Sequence, residues 1–287
     1  MPEGDAVRRT AHRLDRALAG HVLRASDFRV PQLATADLRG GTVLRTRTHG
    51  KHLLTRVKMP DARRLTIHTH LRMEGRWRTV RPGGRLPGPP ADIRLVLRTD
   101  AATMVGLRLG VVELLDTDAE DDVIGHLGPD LLGPWETADR AEAIHRLTAD
   151  PHRVLGDALL DQRVVAGMGT IWLAESCFVA GICPLARVED LADPGRFLDR
   201  VRVMLQAAVR QREPVTTGDP RDPLWAFRRN RQPCKRCGTI VLAGRVGPPD
   251  KVRTTYWCPH CQPTPADVTP DQLLRIAPGA PRSPYRD

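Results

Sequence analysis

A secondary amine beside a carboxylate can do Schiff-base chemistry, and the chain starts with such a pair in Met1-Pro2-Glu3-Gly4. Its small penultimate residue predicts removal of Met1, which leaves Pro2 as an α-amine less basic than a lysine. Such an amine is a nucleophile near neutral pH, and the adjacent Glu3 can serve as acid or base. A second constellation is Cys234-x2-Cys237 and Cys258-x2-Cys261, with twenty residues between the pairs. Each pair can present two thiolates from one tight turn, and together they can close a tetrahedron of sulfur around Zn2+. Two disulfides would need an oxidising compartment, for which nothing in the chain argues. Four thiolates leave no open position for water, so one structural zinc is expected. Cys177 and Cys183 stand in apolar surroundings and read as small buried hydrophobes.

Charge narrows the partner. The chain has 44 Lys+Arg against 34 Asp+Glu, a net charge of +10, and Arg228, Arg229, Arg231, Lys235 and Arg236 crowd the first cysteine pair. Such an excess favours polyanions, since each phosphate contact releases counterions, although it also serves plain solubility. The stretch Gln162 to Thr170, QRVVAGMGT, holds Gly167 and Gly169. It follows a helical pattern rather than a strand and so is no dinucleotide fingerprint. Its glycines permit close backbone approach, and amides opening the next helix can meet a phosphate.

These residues need elements to position them. Asp5 to Ala19 carries Val7, Ala11, Leu14 and Leu18 at helical spacing and is ended by Gly20. Short runs rich in Val, Leu, Ile and Thr follow at 42–47, 52–58, 64–70, 93–98, 104–109 and 111–115, which predicts a β-sandwich. Residues 81–91, rich in Pro, Gly and Arg, read as a loop. Helical patterns occupy 138–149, 154–160, 171–179 and 194–212. The fold class is therefore α+β, and the expected division is an N-terminal domain over 1–126, a linker at 127–134, a helical domain over 135–224, a zinc hairpin over 225–263 and a loosely ordered tail over 264–287. The longest apolar segment, 171–186, contains Glu175 and is too short to span a bilayer. With no apolar core behind Arg8 and Arg9 to make a signal peptide, a cytoplasmic, nucleoid-associated monomer is expected.

Four motifs in order along the chain resemble the formamidopyrimidine-DNA glycosylase and endonuclease VIII family of base-excision repair enzymes. They are PEG at Pro2 to Gly4, THGKHLL at Thr48 to Leu54, LLDQRVVAGMGTIWLAES at Leu159 to Ser176, and the CxxC pairs with RTTYWC at Arg253 to Cys258. The third is similar to the family's helix-two-turns-helix. PEGDAV and RTTYWCPHC look closer to the endonuclease VIII branch.

The resemblance implies a β-sandwich flanked by helices, a helix-two-turns-helix domain with a zinc-finger β-hairpin, and damaged double-stranded DNA held in the cleft between them. It implies that Pro2 attacks the sugar of a flipped-out nucleotide and that Glu3 protonates the ring oxygen. Lys51, in THGKHLL, would hold phosphate and assist elimination; the only other lysines before residue 251 are Lys58 and Lys235. Arg253 would grip phosphates in its planar fork. Oxidised bases, pyrimidines favoured, would be removed and the strand cleaved by β,δ-elimination. Met73 in HLRMEG aligns with the loop that fills the gap left by flipping, with Arg72 beside it; core packing is an equal alternative for this methionine. Gly169 and Thr170 would meet DNA at the glycine turn. His68 and His70 share a strand face, and packed histidines are favoured over a metal pair lacking a third ligand.

The chain also departs from the family pattern. Thr170 stands where the family has an asparagine that contacts phosphate, and its shorter hydroxyl suits a cap for a helix beginning at Ile171. Asp5-Ala6 offers only a near neighbour to the second acidic residue of many endonuclease VIII members. Twenty residues between the zinc pairs exceed the usual spacing and predict an extended hairpin tip over 244–250. Two rival readings remain at this level: a non-catalytic binder of damaged or abasic DNA, and a zinc-ribbon module for RNA or protein.

Overall fold

The computed structural model describes residues 2–211 and 213–273. Removal of Met1 and the loose order expected of the last fourteen residues lie outside the described residues. In chain order the first elements are helix α1 (Gly4–Leu18) and strands β1 (Ala25–Phe28), β2 (Thr42–His49), β3 (His52–Lys58) and β4 (Arg64–His70). Then come β5 (Arg76–Val80), β6 (Ile93–Arg98), β7 (Thr103–Leu107), β8 (Val111–Asp116) and the short helix α2 (Asp121–Ile124). Helices α3 (Thr137–Thr148), α4 (Leu155–Leu160), α5 (Thr170–Ala180) and α6 (Pro194–Arg210) precede the hairpin strands β9 (Leu242–Val246) and β10 (Arg253–Trp257).

The chain folds into two compact units. One comprises the residues up to Ala149 together with Asp161–Gly169 and Asp193–Pro214. Its strands form two antiparallel four-stranded sheets, in the orders β1-β6-β7-β5 and β2-β3-β4-β8. Leu53, Val57 and Ile67 of one sheet and Trp77, Leu95, Leu97 and Met104 of the other share a core with Val7, Ala11, Leu14 and Leu18 of α1. The three- and four-residue spacing on α1 thus becomes its buried stripe. A polar tie fixes the helix to its sheet, the Thr46 amide donating to Asp15 Oδ1 at 2.6 Å. On another side of α1 lies α6, whose end is held where Arg9 Nη1 donates to the Ala208 carbonyl at 2.6 Å.

Strands β1 and β5 were not expected. β1 is four residues long with one buried side chain, and in β5 only Trp77 is buried among exposed or half-buried Arg76, Arg78, Thr79 and Val80. Both lie at the sheet edges, where one buried contact and a ladder to one neighbour suffice and no apolar run is needed. The segment at 127–134 is zipped to the glycine turn: Ala166 N donates to the Pro129 carbonyl at 2.9 Å and Leu131 N to the Ala166 carbonyl at 3.1 Å.

The second unit comprises Asp150–Leu160, Thr170–Ala192 and the chain from Val215. Here α5 packs on β10, and Ala174, Phe178, Ala226, Cys234, Val241 and Cys258 form the core. The Phe178 ring stacks on Trp225 with centroids 5.3 Å apart, and the Arg236 guanidinium lies over Phe178 at 4.5 Å. Residues 264–273 are held rather than loose. Trp257 Nε1 donates to Thr264 Oγ1 at 2.9 Å, Asp267 pairs with Arg187 at 2.6 Å, and Leu273 bridges Gly244.

Candidate active site

Helix α1 opens at Gly4, so its N-cap is Glu3, in extended conformation at φ −109° and ψ 179°. Its side chain makes no cap bond to α1, and Glu3 is 2% exposed. Burying a carboxylate is costly, and the backbone around it is shaped to admit it. The Gly4 amide donates to the Gly167 carbonyl at 2.9 Å, and a Cβ on Gly4 would lie 2.8 Å from that oxygen. A Cβ on Gly169 would lie 2.3 Å from Glu3 Cδ and 2.6 Å from Oε1. The glycines of QRVVAGMGT are therefore needed for close approach, and what approaches is the Pro2-Glu3-Gly4 segment. Gly167 also takes φ +100°, which a side chain would resist.

The turn is braced from within by Gln162, a residue with no motif signature of its own. Its Oε1 accepts from Gly167 N at 3.0 Å, and its Nε2 donates to the Met168 carbonyl at 3.0 Å. The hairpin carrying Lys51 docks on the same turn. Gly50, at φ +55°, sits where a Cβ would be 2.9 Å from Ala166 Cβ, and His49 Nε2 donates to the Gly128 carbonyl at 3.1 Å. Glu3, Gly4 and the Lys51 turn thus converge on residues 162–169 within one unit. Behind them Asp130, whose Oδ1 accepts from Leu132 N at 2.9 Å, is buried, and burial pushes its carboxyl up from the usual carboxylate range.

Met73 is 62% exposed, so it contributes nothing to the core and the loop presents it to solvent. Arg72 beside it takes φ +52°, and its amide donates to His70 Nδ1 at 2.9 Å. The aliphatic stem of Arg72 lies over Gly110, where a Cβ would be 2.0 Å from Arg72 Cγ. His68 and His70 are hydrogen-bonded histidines and belong to no cluster of three ligands; among the described residues the four cysteines alone form such a group.

In the second unit, α5 begins at Thr170 itself, so the residue expected to cap a helix starting at Ile171 is instead its first residue. The ligand atoms of Cys234, Cys237, Cys258 and Cys261 all lie within 4.8 Å of one another, and all four are free thiols. Sulfur separations of 3.5 Å for Cys237 to Cys258 and 3.9 Å for Cys234 to Cys261 straddle the tetrahedral edge of about 3.8 Å that Zn–S bonds of about 2.3 Å require. The donor set therefore fits a metal ion. Arg253 opens β10 and is exposed. The expected tip at 244–250 is displaced: β9 continues through Val246, and the tip is 247–252. Gly244 lies inside β9, where a Cβ would be 2.9 Å from the Trp257 ring. The tip is anchored to α4, whose Asp157 Oδ1 accepts from Gly247 N at 2.5 Å.

A further residue of this unit was missed. Glu175, in the most apolar helix, is 0% exposed and accepts from the amides of Trp225 at 2.9 Å, Ala226 at 2.9 Å and Phe227 at 2.8 Å, and from Thr216 Oγ1. A lone carboxylate in WLAESCFV was the available signal, since such a group must find donors.

Comparison with known proteins agrees with this architecture. Residues 1–110 match the family model of the formamidopyrimidine-DNA glycosylase N-terminal domain. The chain is 49% identical over 271 residues to a probable endonuclease 8 2 of Streptomyces coelicolor, covering 93% of this chain and 95% of that one. It is 45% identical over 265 residues to the DNA-(apurinic or apyrimidinic site) lyase Nei2 of Mycolicibacterium smegmatis, covering 91% and 99%. In fold it is similar to Lactococcus lactis Fpg (MutM) solved with oxidised-pyrimidine-containing DNA, at a TM-score of 0.75 and 22% identity, covering 92% of this chain and 100% of that one. The chain belongs to the formamidopyrimidine-DNA glycosylase and endonuclease VIII family of base-excision repair glycosylase/lyases.

Proposed function

We propose that the chain removes oxidised bases from double-stranded DNA, pyrimidines favoured, and then cleaves the strand by β,δ-elimination through a Schiff base at Pro2. The observation that carries this reading is the fit of the Pro2-Glu3-Gly4 segment into the glycine turn, which also seats the Lys51 hairpin. A frayed terminus would need neither Gly4 against Gly167 nor Gly169 against Glu3.

With Met1 removed, the Pro2 nitrogen attacks C1′ of a flipped-out nucleotide and gives up its proton, while the N-glycosidic bond breaks and the base leaves with that electron pair and takes up a proton. Glu3 gives a proton to the ring oxygen, the sugar opens, and an iminium joins Pro2 to C1′. Loss of a C2′ proton then expels the 3′ phosphate, and loss of the C4′ proton expels the 5′ phosphate. Lys51 and Arg253 bind the phosphates and assist the eliminations. Met73, with Arg72 beside it, fills the gap left by the flipped nucleotide; the exposure of Met73 supports that role. Gly169 and Thr170 contribute backbone at the DNA-facing turn. One structural Zn2+, held by Cys234, Cys237, Cys258 and Cys261, supplies folding energy to the hairpin that carries Arg253.

The test is borohydride trapping on a duplex with one abasic site, with the mass of the N-terminus checked. Wild-type protein forms a covalent complex, whereas Pro2→Gly and Glu3→Gln form little or none. Lesion binding without trapping, with Met1 confirmed absent, would favour the non-catalytic binder. No preference for the damaged duplex would favour the zinc-ribbon module.

A further inference from the structure

A buried carboxylate stands at the point where the segments of the candidate site meet. A Cβ on Gly167 would lie 3.4 Å from Asp130 Oδ1, 3.8 Å from Gly50 Cα and 3.9 Å from Gly4 Cα. Gly50 precedes Lys51 and Gly4 follows Glu3, so one point is walled by the two segments that carry those residues and by Asp130. Asp130 also pairs with Ala166 in a parallel bridge, and the Gly50 amide is turned towards its carboxylate. From α1, Arg8 brings Nη2 to 3.7 Å from Oδ2. All of these residues belong to one unit.

The Asp130 side chain is 3% exposed, and burying a carboxylate is costly. Its own segment is held largely by other groups. Arg202 Nη1 donates to the carbonyls of Leu131 at 2.7 Å and Gly133 at 3.0 Å, and Arg8 Nη2 donates to that of Leu132. Within the segment the Asp130 side chain makes one bond, Oδ1 accepting from Leu132 N at 2.9 Å. Oδ2 is buried and meets no hydrogen-bond partner among the described residues. Burial pushes the carboxyl up, and the Leu132 amide, Arg8, His49 and the Gly50 amide oppose this. The two amides and the Arg8 guanidinium are all donors. A carboxylate only accepts, whereas an amide or hydroxyl side chain would bring a further donor to a point already ringed by them.

We infer that Asp130 is a positioning residue: as the acceptor between the Gly50 amide and its own segment, it fixes the Lys51 turn to the same glycine turn that seats Glu3. Lys51 and Glu3 thereby share one frame. The consequence for the reaction rests on the lyase reading of these two residues; the fixing of the Lys51 turn does not.

The test uses the 15N-labelled full chain. In wild-type protein the Gly50 amide exchanges slowly with solvent deuterium, and in Asp130→Ala it exchanges faster by about tenfold, as loss of one hydrogen bond allows. Asp130→Asn keeps one acceptor oxygen but sets a donor against Arg8, and its Gly50 amide exchanges faster by about threefold. In single-turnover scission of an abasic duplex, Asp130→Ala is slower by about 30-fold and Asp130→Asn by about threefold, while both bind the duplex within about twofold of wild type. A residue that only stabilised its own segment would lower the thermal midpoint and leave Gly50 exchange and the scission rate of the bound duplex unchanged; that result would overturn the assignment. So would a Gly50 amide that exchanges freely in wild-type protein, an outcome that depends on no variant folding. Loss of wild-type trapping would overturn the lyase reading and leave the exchange pattern as described, so the two fail separately.

Discussion

Gly169 and Glu3 occupy one space: a side chain on the glycine would begin 2.3 Å from the carboxyl carbon of the glutamate. The carboxylate of Glu3 thus takes the room that a side chain 166 residues further along the chain would fill. Gly169→Ala should displace Glu3 and reduce covalent trapping at an abasic site by about 100-fold or more, as ångström-scale misplacement of a catalytic group does. Circular dichroism should show the fold retained, and trapping near the wild-type level would contradict the packing argument.

Glu120 gives a pH signature. Burial raises its carboxyl, but bonds from Arg56 at 2.6 and 2.7 Å, from Thr66 Oγ1 at 2.7 Å and from Arg47 outweigh this and bring it down to about 2. A carboxyl depressed on folding stabilises above its unfolded value of about 4.3, and that contribution is lost as pH falls towards 2. Urea midpoints measured from pH 5 to pH 2.5 should fall steeply for wild-type protein and less steeply for Glu120→Gln. Parallel curves would remove Glu120 from the account.

Glu175→Ala would strand three amides that now share its buried carboxylate. A loss of about 3 kcal/mol is expected, read as a lower thermal midpoint. Glu175→Gln keeps one acceptor oxygen and should lose less. If Glu175→Ala were neutral, the segment 216–227 would be held by something other than this residue.

Removing the metal should unfold the hairpin. One zinc per chain is expected by elemental analysis, and a chelator or Cys258→Ser should abolish DNA binding and cut protease resistance beyond residue 225. The protein purified without zinc yet retaining the same protease resistance would contradict a structural metal.

What was legible in the sequence was local chemistry. The PEG start, the two CxxC pairs and the THGK turn each place reactive groups within a few residues, and the strands at 52–58, 64–70 and 93–98 are rich in Leu, Val, Ile and Thr. What was illegible needed partners far along the chain. Gly169 shows as a turn glycine, but its reason is Glu3; Gln162 shows as a polar residue after a helix, but its reason is the Gly167 and Met168 backbone. Edge strands β1 and β5 bury too little to carry a pattern. The hairpin tip moved because Gly244 faces Trp257 inside β9, a cross-strand contact no spacing rule contains. Met73 stood equally between core and surface until its exposure was known.

The central claim is that Pro2 is the nucleophile and Glu3 its acid. The most direct measurement is borohydride trapping of N-terminally verified protein on an abasic duplex, followed by peptide mass mapping of the adduct. The account predicts a reduced sugar adduct on the Pro2 nitrogen, absent in Pro2→Gly and strongly reduced in Glu3→Gln. An adduct on Lys51, or none with Met1 confirmed removed, would contradict it.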